Sequence, residues 1–375
     1  MTEDKSIVSA PFRPKLEAVR DEDPRDRGGN RQPLLIVNQL RKYFPIRGGI
    51  FNHRRGEVRA VDSVSFSVLK GETLGIVGES GCGKSTLARL LMHLIPCDTG
   101  EQIFDGEAVG ELRGLSLREL RRNMQMVFQD SSSSLNPRLP VEQSIAYGPR
   151  VHGMARAEAK AVARDLLDKV GLRPELFGSR YPHELSGGQK QRINIARALA
   201  LNPRMLILDE AVSALDKSVQ AQVLNLLRYL KRHLNLTYVF ISHDLSVVQY
   251  ISDRVLVMYL GEVVEIGPVD AIYTAPKHPY TAALLRSRLN LNPAERLAEA
   301  PLSGDPPNPI NPPSGCRFRT RCNFAEAVCA DRSPALGEHT NRSAHRAACH
   351  MVHADSGHSL SGRAASVEGA HGQRN

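Results

Sequence analysis

Short apolar runs alternate with amphipathic segments through the middle of the chain. The apolar runs, which predict buried strands, are Thr73 to Val77, Met205 to Leu208, Thr237 to Ile241 and Arg254 to Met258. The segments with a helical repeat of apolar positions are Thr86 to Ile95, Ala155 to Val170, Gln189 to Ala200 and Ser218 to His233. This alternation is typical of a parallel sheet covered by helices, so the predicted fold class is α/β.

A different pattern precedes these elements. Alternating and β-branched positions begin at Leu34, pause at the Gly- and Arg-rich stretch Arg47 to Gly56, and resume over Val58 to Leu69. This pattern predicts antiparallel strands with an excursion between them. Farther along, Gly171 follows an amphipathic segment directly and predicts a helix C-cap.

The two ends of the chain lack a pattern that would build a core. Polar, broken sequence predicts flexible tails over residues 1–33 and 353–375, which flank a main domain over 34–285. Proline and asparagine become dense after Leu285, so we expect an extended segment to carry the chain out of the core. Residues 286–352 are therefore predicted to form a separate extension that contains four cysteines.

The composition fits a globular protein but does not choose a ligand. The chain has 375 residues, of which 41% are hydrophobic and 24% charged. No apolar run reaches the ~18 residues that a membrane span needs, and the start lacks the layout of a secretory signal, so a cytosolic protein is expected. The net charge of +9 is compatible with nucleic acid, an anionic membrane surface or a nucleotide.

A phosphate-binding pattern lies between a predicted strand and a predicted helix. GESGCGKST, at Gly78 to Thr86, fits G-x-x-x-x-G-K-[ST] in the context that gives this pattern its meaning. The loop residues predicted to bind nucleotide are Gly78, Glu79, Ser80, Gly81, Cys82, Gly83, Lys84, Ser85 and Thr86. Backbone N–H groups would meet phosphate oxygens, Lys84 would add a positive charge, and the Ser85 hydroxyl would ligate Mg²⁺. The alternative is a structural glycine turn.

Two carboxylates end the apolar run MLILDE. Asp209 and Glu210 are predicted at the carboxyl edge of the sheet, where open α/β sheets bind their ligands. We expect Asp209 to hold hydrated Mg²⁺ and Glu210 to polarise a water for attack on the γ-phosphate. A buried strand that ends in solvated acids is the alternative interpretation.

The segment LSGGQKQR, at Leu185 to Arg192, resembles the signature of ATP-binding-cassette (ABC) ATPases. The resemblance covers about Leu34 to Leu285 and implies a parallel core sheet, an antiparallel β subdomain and a helical signature subdomain. It also implies that the signature of one subunit caps the γ-phosphate of ATP bound by its partner. The residues that would do so are Ser186, Gly187, Gly188 and Gln189.

Further motifs match the same family in the same order. Gln129 in VFQD resembles the Q-loop, Asp216 in SALD the D-loop, and His243 in ISHD the switch histidine. The resemblance implies that Gln129 contacts Mg²⁺ and senses a transmembrane partner, that Asp216 belongs to the nucleotide site, and that His243 reaches the γ-phosphate. An aromatic residue ahead of the first strand pair is expected to stack on adenine. Phe44 fits best, with Tyr43 as the alternative.

Three stretches narrow the resemblance. SSLNPR (Ser133 to Arg138), KHPYTAALL (from Lys277) and PINPPSGCRFRTRC (Pro309 to Cys322) are similar to ATPase subunits of peptide and nickel importers, most like the second ATPase of dipeptide and oligopeptide systems. Ala211 and Asn323 stand where that family commonly has proline. The implied function is ATP hydrolysis that powers peptide import, with nickel, glutathione or another solute as the alternative cargo.

The same resemblance implies the cofactors ATP and Mg²⁺ and a set of partners. These are a second ABC ATPase subunit in a heterodimer, two transmembrane permease subunits and an extracytoplasmic peptide-binding protein, with this chain peripheral on the cytoplasmic face of the inner membrane. Two alternative functional classes are a nucleic-acid-associated ABC protein and a non-catalytic ABC subunit. A single phosphate loop and a single signature argue against the first, and retention of Glu210 and His243 argues against the second.

Four cysteines crowd the C-terminal part of the chain, spaced C-x5-C-x6-C-x19-C. They are Cys316, Cys322, Cys329 and Cys349. Four thiolates can bind zinc, hold an iron–sulfur cluster or remain unrelated thiols, and close C-x2-C pairs typical of zinc ribbons are absent. Similar cysteines in peptide importers imply a [4Fe–4S] cluster, with zinc as the alternative. Nearby arginines either offset the charge of a thiolate-bound metal or form a solvated basic loop.

Overall fold

The computed structural model describes residues 32–48, 53–110, 114–131, 133–287, 307–337 and 345–362. Most of the predicted N-terminal tail and the last part of the predicted C-terminal tail lie outside these described residues. None of the described helices is long and apolar enough to cross a membrane.

The predicted strands and helices occur in the predicted order, with further elements between them. The strands are β1 (Pro33–Gly48), β2 (His53–Leu69), β3 (Thr73–Val77), β4 (Thr99–Phe104), β5 (Glu107–Ala108), β6 (Met124–Val127), β7 (Met205–Asp209), β8 (Thr237–Ile241), β9 (Arg254–Tyr259), β10 (Glu262–Pro268) and β11 (Arg346–Ala347). The helices are α1 (Lys84–Leu91), α2 (Leu117–Asn123), α3 (Val141–Val151), α4 (Arg156–Lys169), α5 (Pro174–Phe177), α6 (Gly187–Leu199), α7 (Lys217–His233), α8 (Leu245–Ile251), α9 (Val269–Thr274), α10 (Pro279–Arg286) and α11 (Ala327–Asp331). Short 3₁₀ turns lie at Pro182–Glu184 and Arg319–Arg321.

A seven-stranded sheet forms the centre of the molecule, in the order β11-β10-β9-β3-β8-β7-β6. The neighbours from β9 to β6 pair in parallel, whereas β10 and β11 pair antiparallel at one edge. Every residue of β3, β7 and β8 is buried, as expected for strands covered on both faces. The α/β prediction is confirmed.

The two faces of the central sheet contribute to two different apolar clusters. Leu206 and Leu208 of β7 pack with helices α3, α4, α6 and α7, whereas Met205 and Ile207 pack with α1 and the antiparallel sheet. This switch follows the two-residue period of a strand, in which successive side chains point to opposite faces. The phosphate-loop helix therefore lies in the β-rich cluster, and the signature helix α6 lies in the helical one.

The second sheet, β2-β1-β4-β5, is antiparallel, as predicted. The predicted excursion at Arg47 to Gly56 is wrong at its two ends, because β1 and β2 remain paired there, with Gly48 opposite His53. The apolar pattern stops although the ends of this stretch are paired, because backbone pairing does not require apolar side chains.

Two helix ends illustrate what local sequence decides. Helix α1 ends at Leu91, earlier than the predicted Ile95, because His93 adopts a left-handed backbone conformation with φ of 49°. Gly171 has φ of 78°, and its N–H donates to the Asp168 carbonyl at 2.9 Å, so the predicted C-cap is confirmed.

The C-terminal extension, residues 307–337 and 345–362, packs on the core. The prediction that this segment leaves the core is wrong for the described residues: Phe318 belongs to the helical cluster, and β11 pairs with β10. The predicted start of a loose tail at residue 353 is also too early, since Ser356 and His358 are buried. Neither the packing of the extension on the core nor the burial of Ser356 and His358 is predicted from the sequence, because isolated side chains in irregular backbone make these contacts.

Candidate nucleotide site

The phosphate loop joins β3 to α1, and its lysine is folded onto the loop. Lys84 Nζ donates to the carbonyls of Gly78 at 2.7 Å and Glu79 at 2.8 Å. Gly83 has φ of 107°, and a Cβ there would lie 2.1 Å from the Ala60 carbonyl oxygen. Glycine is therefore required at residue 83. The buried Lys84 ammonium belongs to the first residue of α1, and helix N-termini are sites where anions bind.

The side chains of Ser85 and Asp209 meet beside the loop, as expected if both are Mg²⁺ ligands. Ser85 Oγ donates to Asp209 Oδ1 at 3.1 Å, and burial raises the pKa of Asp209. No group of three or more His, Cys, Asp or Glu in the described part of the chain is arranged to hold a metal ion. Mg²⁺ at nucleotide sites keeps several waters and takes one or two carboxylates besides phosphate, so Asp209 with the adjacent Ser85 hydroxyl fits this ion.

Glu210 lies between the two other predicted catalytic side chains. Its carboxylate accepts a hydrogen bond from Gln129 Nε2 at 2.8 Å, and His243 Nδ1 lies 3.4 Å from its other oxygen. Glu210 has φ of 48°, held by its own N–H donating to the Ile241 carbonyl at 2.9 Å. Adjacent parallel strands β7 and β8 bring Glu210 and His243 to the same sheet edge.

These residues open onto a pocket of about 630 Å³. It is lined by Phe44, Val58, Arg59, Ala60, Ser80, Gly81, Gly83, Lys84, Ser85, Thr86, Gln129, Glu210, His243, Leu260, Gly261 and Pro309. Phe44 is 39% exposed, whereas the Tyr43 hydroxyl donates to Asp62 at 2.5 Å. Burial and Asp62 raise the pKa of Tyr43 to about 12. Of the two rings proposed for adenine, Phe44 is the one that lines the pocket.

Part of the pocket wall lies outside the motifs that predict the nucleotide site. Arg59, Ala60, Leu260 and Gly261 come from β2 and from the turn between β9 and β10, and Pro309 comes from the extension. The Arg59 N–H donates to the Pro309 carbonyl at 3.4 Å, which joins two of these pieces. No sequence signal marked them, because each contributes through its position in the fold.

Three of the predicted loop contacts do not line the pocket. Gly78 offers its carbonyl to Lys84, and Cys82 is 4% exposed within the β-rich cluster. Burial raises the pKa of the Cys82 thiol. The Glu79 side chain pairs instead with Arg321 of the extension.

The signature residues are not among those that line this pocket. Ser186 caps α6, with its hydroxyl accepting from the Gln189 N–H at 3.4 Å and its own N–H donating to Gln189 Oε1 at 3.0 Å. A Cβ at Gly188 would lie 2.4 Å from Val219 Cγ1, so glycine lets α6 approach α7 closely. Asp216 caps α7 by accepting from the Val219 N–H at 2.9 Å.

The four C-terminal cysteines are neighbours. Burial, followed by the negative charges of the other three, raises the pKa of the Cys349 thiol to about 12. The Cys316 N–H donates to the Cys329 carbonyl at 2.8 Å. All four are free thiols, and in the described residues they do not form a ready metal site. Their donor chemistry, four cysteine thiols, is the type that iron–sulfur clusters and zinc use.

The arginines between these cysteines are engaged with the core. Arg317 pairs with Asp62 and lies 3.0 Å from Glu262, and Arg321 pairs with Glu79 at 2.8 Å. The interpretation of this stretch as a solvated basic loop is therefore wrong for Arg317 and Arg321, whose side chains are 6% exposed.

Comparison with known proteins agrees with this geometry. Residues 61–213 match the ABC transporter family, and residues 264–329 match the C-terminal region of oligopeptide/dipeptide transporters. The solved structure of CbiO1 from Clostridium perfringens, described as part of the ABC transporter complex CbiONQ, is similar with a TM-score of 0.55 and 26% identity, covering 64% of this chain and 90% of that one. The site thus defines an ABC ATPase, and the chain hydrolyses ATP.

Full-length relatives define the family more closely. The oligopeptide transport ATP-binding protein AppF of Bacillus subtilis is 49% identical over 330 residues, which cover 86% of this chain and 98% of AppF. The oligopeptide transport ATP-binding protein OppF of Haemophilus influenzae is 46% identical over 333 residues, again covering 86% and 98%. The chain belongs to the family of ABC transporter ATP-binding subunits of oligopeptide and dipeptide importers.

Proposed function

We propose that this chain uses ATP hydrolysis to drive the import of dipeptides or oligopeptides through a membrane ABC transporter. The observation that carries the proposal is the convergence of Gln129, Glu210 and His243 on the pocket that contains Lys84. The C-terminal region typical of oligopeptide transporters supports the peptide cargo. Nickel, glutathione or another solute is the alternative cargo.

In this proposal each side chain near the γ-phosphate has one task. Glu210 takes the proton of the attacking water, and the amide of Gln129 holds the carboxylate in place for that transfer. His243 Nδ1 faces the same carboxylate and orients the reacting groups. Lys84 and the loop N–H groups bind the phosphates, and Phe44 stacks on adenine. Bound through Ser85, Gln129 and Asp209, Mg²⁺ would supply positive charge to the phosphates.

The signature requires a second subunit. We propose that Ser186, Gly187, Gly188 and Gln189 complete the site of a partner ATPase, since α6 offers an exposed N-terminus away from its own pocket. Asp216 belongs to the same shared interface. ATP then favours the closed pair because it contacts both subunits only in that state, and hydrolysis removes the preference.

The remaining partners follow from the family. We propose a heterodimer of two ATPases, two transmembrane permease subunits that dock near Gln129, and an extracytoplasmic peptide-binding protein. In this arrangement the chain is peripheral on the cytoplasmic face of the inner membrane. The domain limits proposed with it are an ATPase unit over 34–285 and a C-terminal extension that begins at residue 286.

A test of cargo uses the complex purified from its native membrane and reconstituted in vesicles with its co-purifying binding protein. We expect ATP-dependent uptake of peptides. Glu210→Gln in this chain, combined with the same change at the equivalent glutamate of the partner ATPase, should abolish this uptake. Uptake of nickel but not of peptide would reject the peptide cargo and retain the motor. Nucleotide hydrolysis with no dependence on permease or binding protein would reject the transport role itself.

For the extension, we propose that Cys316, Cys322, Cys329 and Cys349 hold a [4Fe–4S] cluster, with zinc as the alternative. The four thiols of the extension support this proposal; Cys329 and Cys349 are buried, and Cys316 and Cys322 are partly buried. When bound, the cluster would cross-link the extension. Anaerobic purification should give about four irons per chain and broad absorption near ~400 nm. Cys322→Ser should lose both signals and Cys97→Ser should keep them, whereas a colourless preparation with stoichiometric zinc would reject the cluster.

A further inference from the structure

An arginine of the extension reaches the phosphate loop. Arg321 Nη1 lies 2.8 Å from Glu79 Oε2, and Nη2 lies 3.1 Å from Glu79 Oε1, so the two groups form a two-pronged ion pair across 242 residues of sequence. Arg321 Nη1 also donates to the Tyr259 hydroxyl at 3.4 Å. The Arg321 side chain is 6% exposed and the Glu79 side chain 20%, so the pair is partly shielded from water. Fork-to-fork pairs of this kind fix geometry as well as charge.

The Arg321 guanidinium stays protonated. Burial acts to lower the pKa of Arg321, but its hydrogen bonds with Glu79 and Tyr259 raise the pKa above the ordinary value. Removal of the guanidinium would therefore leave the partly buried Glu79 side chain without its counter-charge.

Glu79 is held from three directions. Its carboxylate is held by Arg321, its N–H donates to the Tyr280 hydroxyl at 2.9 Å, and its carbonyl accepts from Lys84 Nζ at 2.8 Å. A shift of Glu79 therefore moves an anchor of the ammonium that meets the phosphates. The loop is thus positioned partly by residues outside the motif.

The support behind this junction is aromatic. The Phe318 ring, also from the extension, lies 5.4 Å from both Tyr259 and Tyr280, and those two rings are 4.6 Å apart. Each of the three is buried. Tyr259 and Tyr280 offer their hydroxyls to the Arg321–Glu79 pair, so the same packing orients both contacts.

We propose that Arg321 is a positioning residue of the nucleotide site, acting through Glu79 on Lys84 and the loop amides. The extension then determines how tightly the loop binds phosphate. This inference rests on ATP binding at the loop, as in the proposed function. Arg321 itself does not line the pocket, so its influence passes through Glu79.

The test compares the full-length chain with Arg321→Gln, Arg321→Lys and Arg319→Gln. Arg319 is the matched control, because its described contacts are with Ser314 inside the extension. Equilibrium binding of ATP, ADP and adenosine is measured for each. We expect Arg321→Gln to bind ATP and ADP about tenfold more weakly, which is about 1.4 kcal/mol, with adenosine binding unchanged. Arg321→Lys should recover part of the loss, and Arg319→Gln should match the wild type.

Two further measurements separate positioning from general damage. In a double-mutant cycle, Glu79→Gln with Arg321→Gln should weaken ATP binding no more than the stronger single change, since both remove one linkage. Hydrogen exchange should quicken at the amides of residues 78–83 in Arg321→Gln, with β7 and β8 still protected.

The contrary outcomes are distinct. Unchanged ATP binding in Arg321→Gln, or an equal loss of ATP and adenosine binding, overturns the role of Arg321 and leaves the nucleotide site intact. Additive effects of the two changes would show that Arg321 does not act through Glu79. Failure of the folded wild-type chain to bind ATP would overturn the nucleotide site and this inference with it.

Discussion

The central sheet and the C-terminal extension are held together by different means. The sheet has five parallel strands whose buried side chains fill two apolar clusters, one on each face. The extension has a two-residue strand, β11, and a five-residue helix, α11. Its turns are held largely by side chains that donate to carbonyls, such as Arg332 to Ser356 at 2.6 Å and His350 to Arg332 at 2.9 Å.

This contrast indicates in which region a single substitution should affect stability most. In the sheet, repeated backbone bonds and apolar contacts share the stabilisation, so an exposed polar change has little effect. In the extension, a single side chain such as that of buried His350 donates to a backbone carbonyl, and its loss leaves that polar group unpaired. Local unfolding should therefore begin in the extension while the sheet remains folded.

The largest expected effect is on ATP turnover and comes from Glu210, at the carboxyl edge of the central sheet. Glu210→Gln should lower turnover by about 10²–10⁴-fold because the amide keeps the shape but cannot accept the proton. ATP affinity should remain, the reverse of the result expected for Arg321→Gln. Steady-state hydrolysis by the assembled complex measures this, with the partner ATPase's glutamate changed as well. Glu175→Gln, on the 67%-exposed side chain of α5, is the control, and substantial turnover in Glu210→Gln would reject the role.

The second prediction makes the same truncation in both regions. Phe240 of β8 is fully buried and Phe318 of the extension is 3% exposed. Phe240→Ala should cost about 3–5 kcal/mol of the free energy of unfolding of the whole domain. Phe318→Ala should instead quicken hydrogen exchange within 307–337 and 345–362 while β7 and β8 stay protected. A uniform loss of protection in Phe318→Ala would show that the two regions unfold together.

The third prediction uses pH at the junction of the two regions. Burial lowers the pKa of His278 to about 4, although the nearby Glu265 acts to raise it. Below pH 6.5 the His278 side chain binds a proton in the unfolded chain but stays neutral in the folded chain. The free energy of unfolding therefore falls as the pH drops from 6.5 towards 4, by about 3 kcal/mol in total. His278→Asn keeps an acceptor for the Tyr280 N–H and should flatten this slope in urea unfolding.

Glu262 supplies the matched contrast. Burial raises its pKa to about 7, so the folded chain holds a proton there that the unfolded chain releases, and stability rises as pH falls from 7 towards 4.5. Its side chain remains 34% exposed, which makes this contribution smaller than that of His278. Glu262→Gln should therefore steepen the acid loss. An unchanged slope in both variants would contradict the two assignments.

The smallest effect comes from a surface ion pair of the core. Lys217 Nζ lies 2.9 Å from Asp244 Oδ2, but the lysine side chain is 83% exposed. Lys217→Ala should change the free energy of unfolding by less than about 1 kcal/mol. Urea unfolding of this variant beside Arg317→Ala, which removes a buried pair of the extension, measures how strongly burial separates them. Equal effects would remove the distinction drawn between the regions.

Sequence predicts most of the core for a physical reason. Strands buried on both faces require unbroken apolar runs, so β3 and β8 begin and end as predicted. The phosphate loop is predicted from its residue pattern between a strand and a helix, whereas Gln129 and His243 are predicted from the resemblance to ABC ATPases. The contacts of Arg321 and Pro309 were missed, because they join distant segments through irregular backbone that leaves no periodic signal.

The Arg321–Glu79 pair also bears on how the protein is made. Its two members are 242 residues apart, and ribosomes add about 5–20 residues per second. The phosphate loop is therefore synthesised roughly 10 to 50 s before its anchor. During that interval the nascent chain has its nucleotide motif without the Arg321–Glu79 contact. If Arg321 positions the loop as proposed, full ATP affinity is reached only after Arg321 has been synthesised and has folded onto the loop.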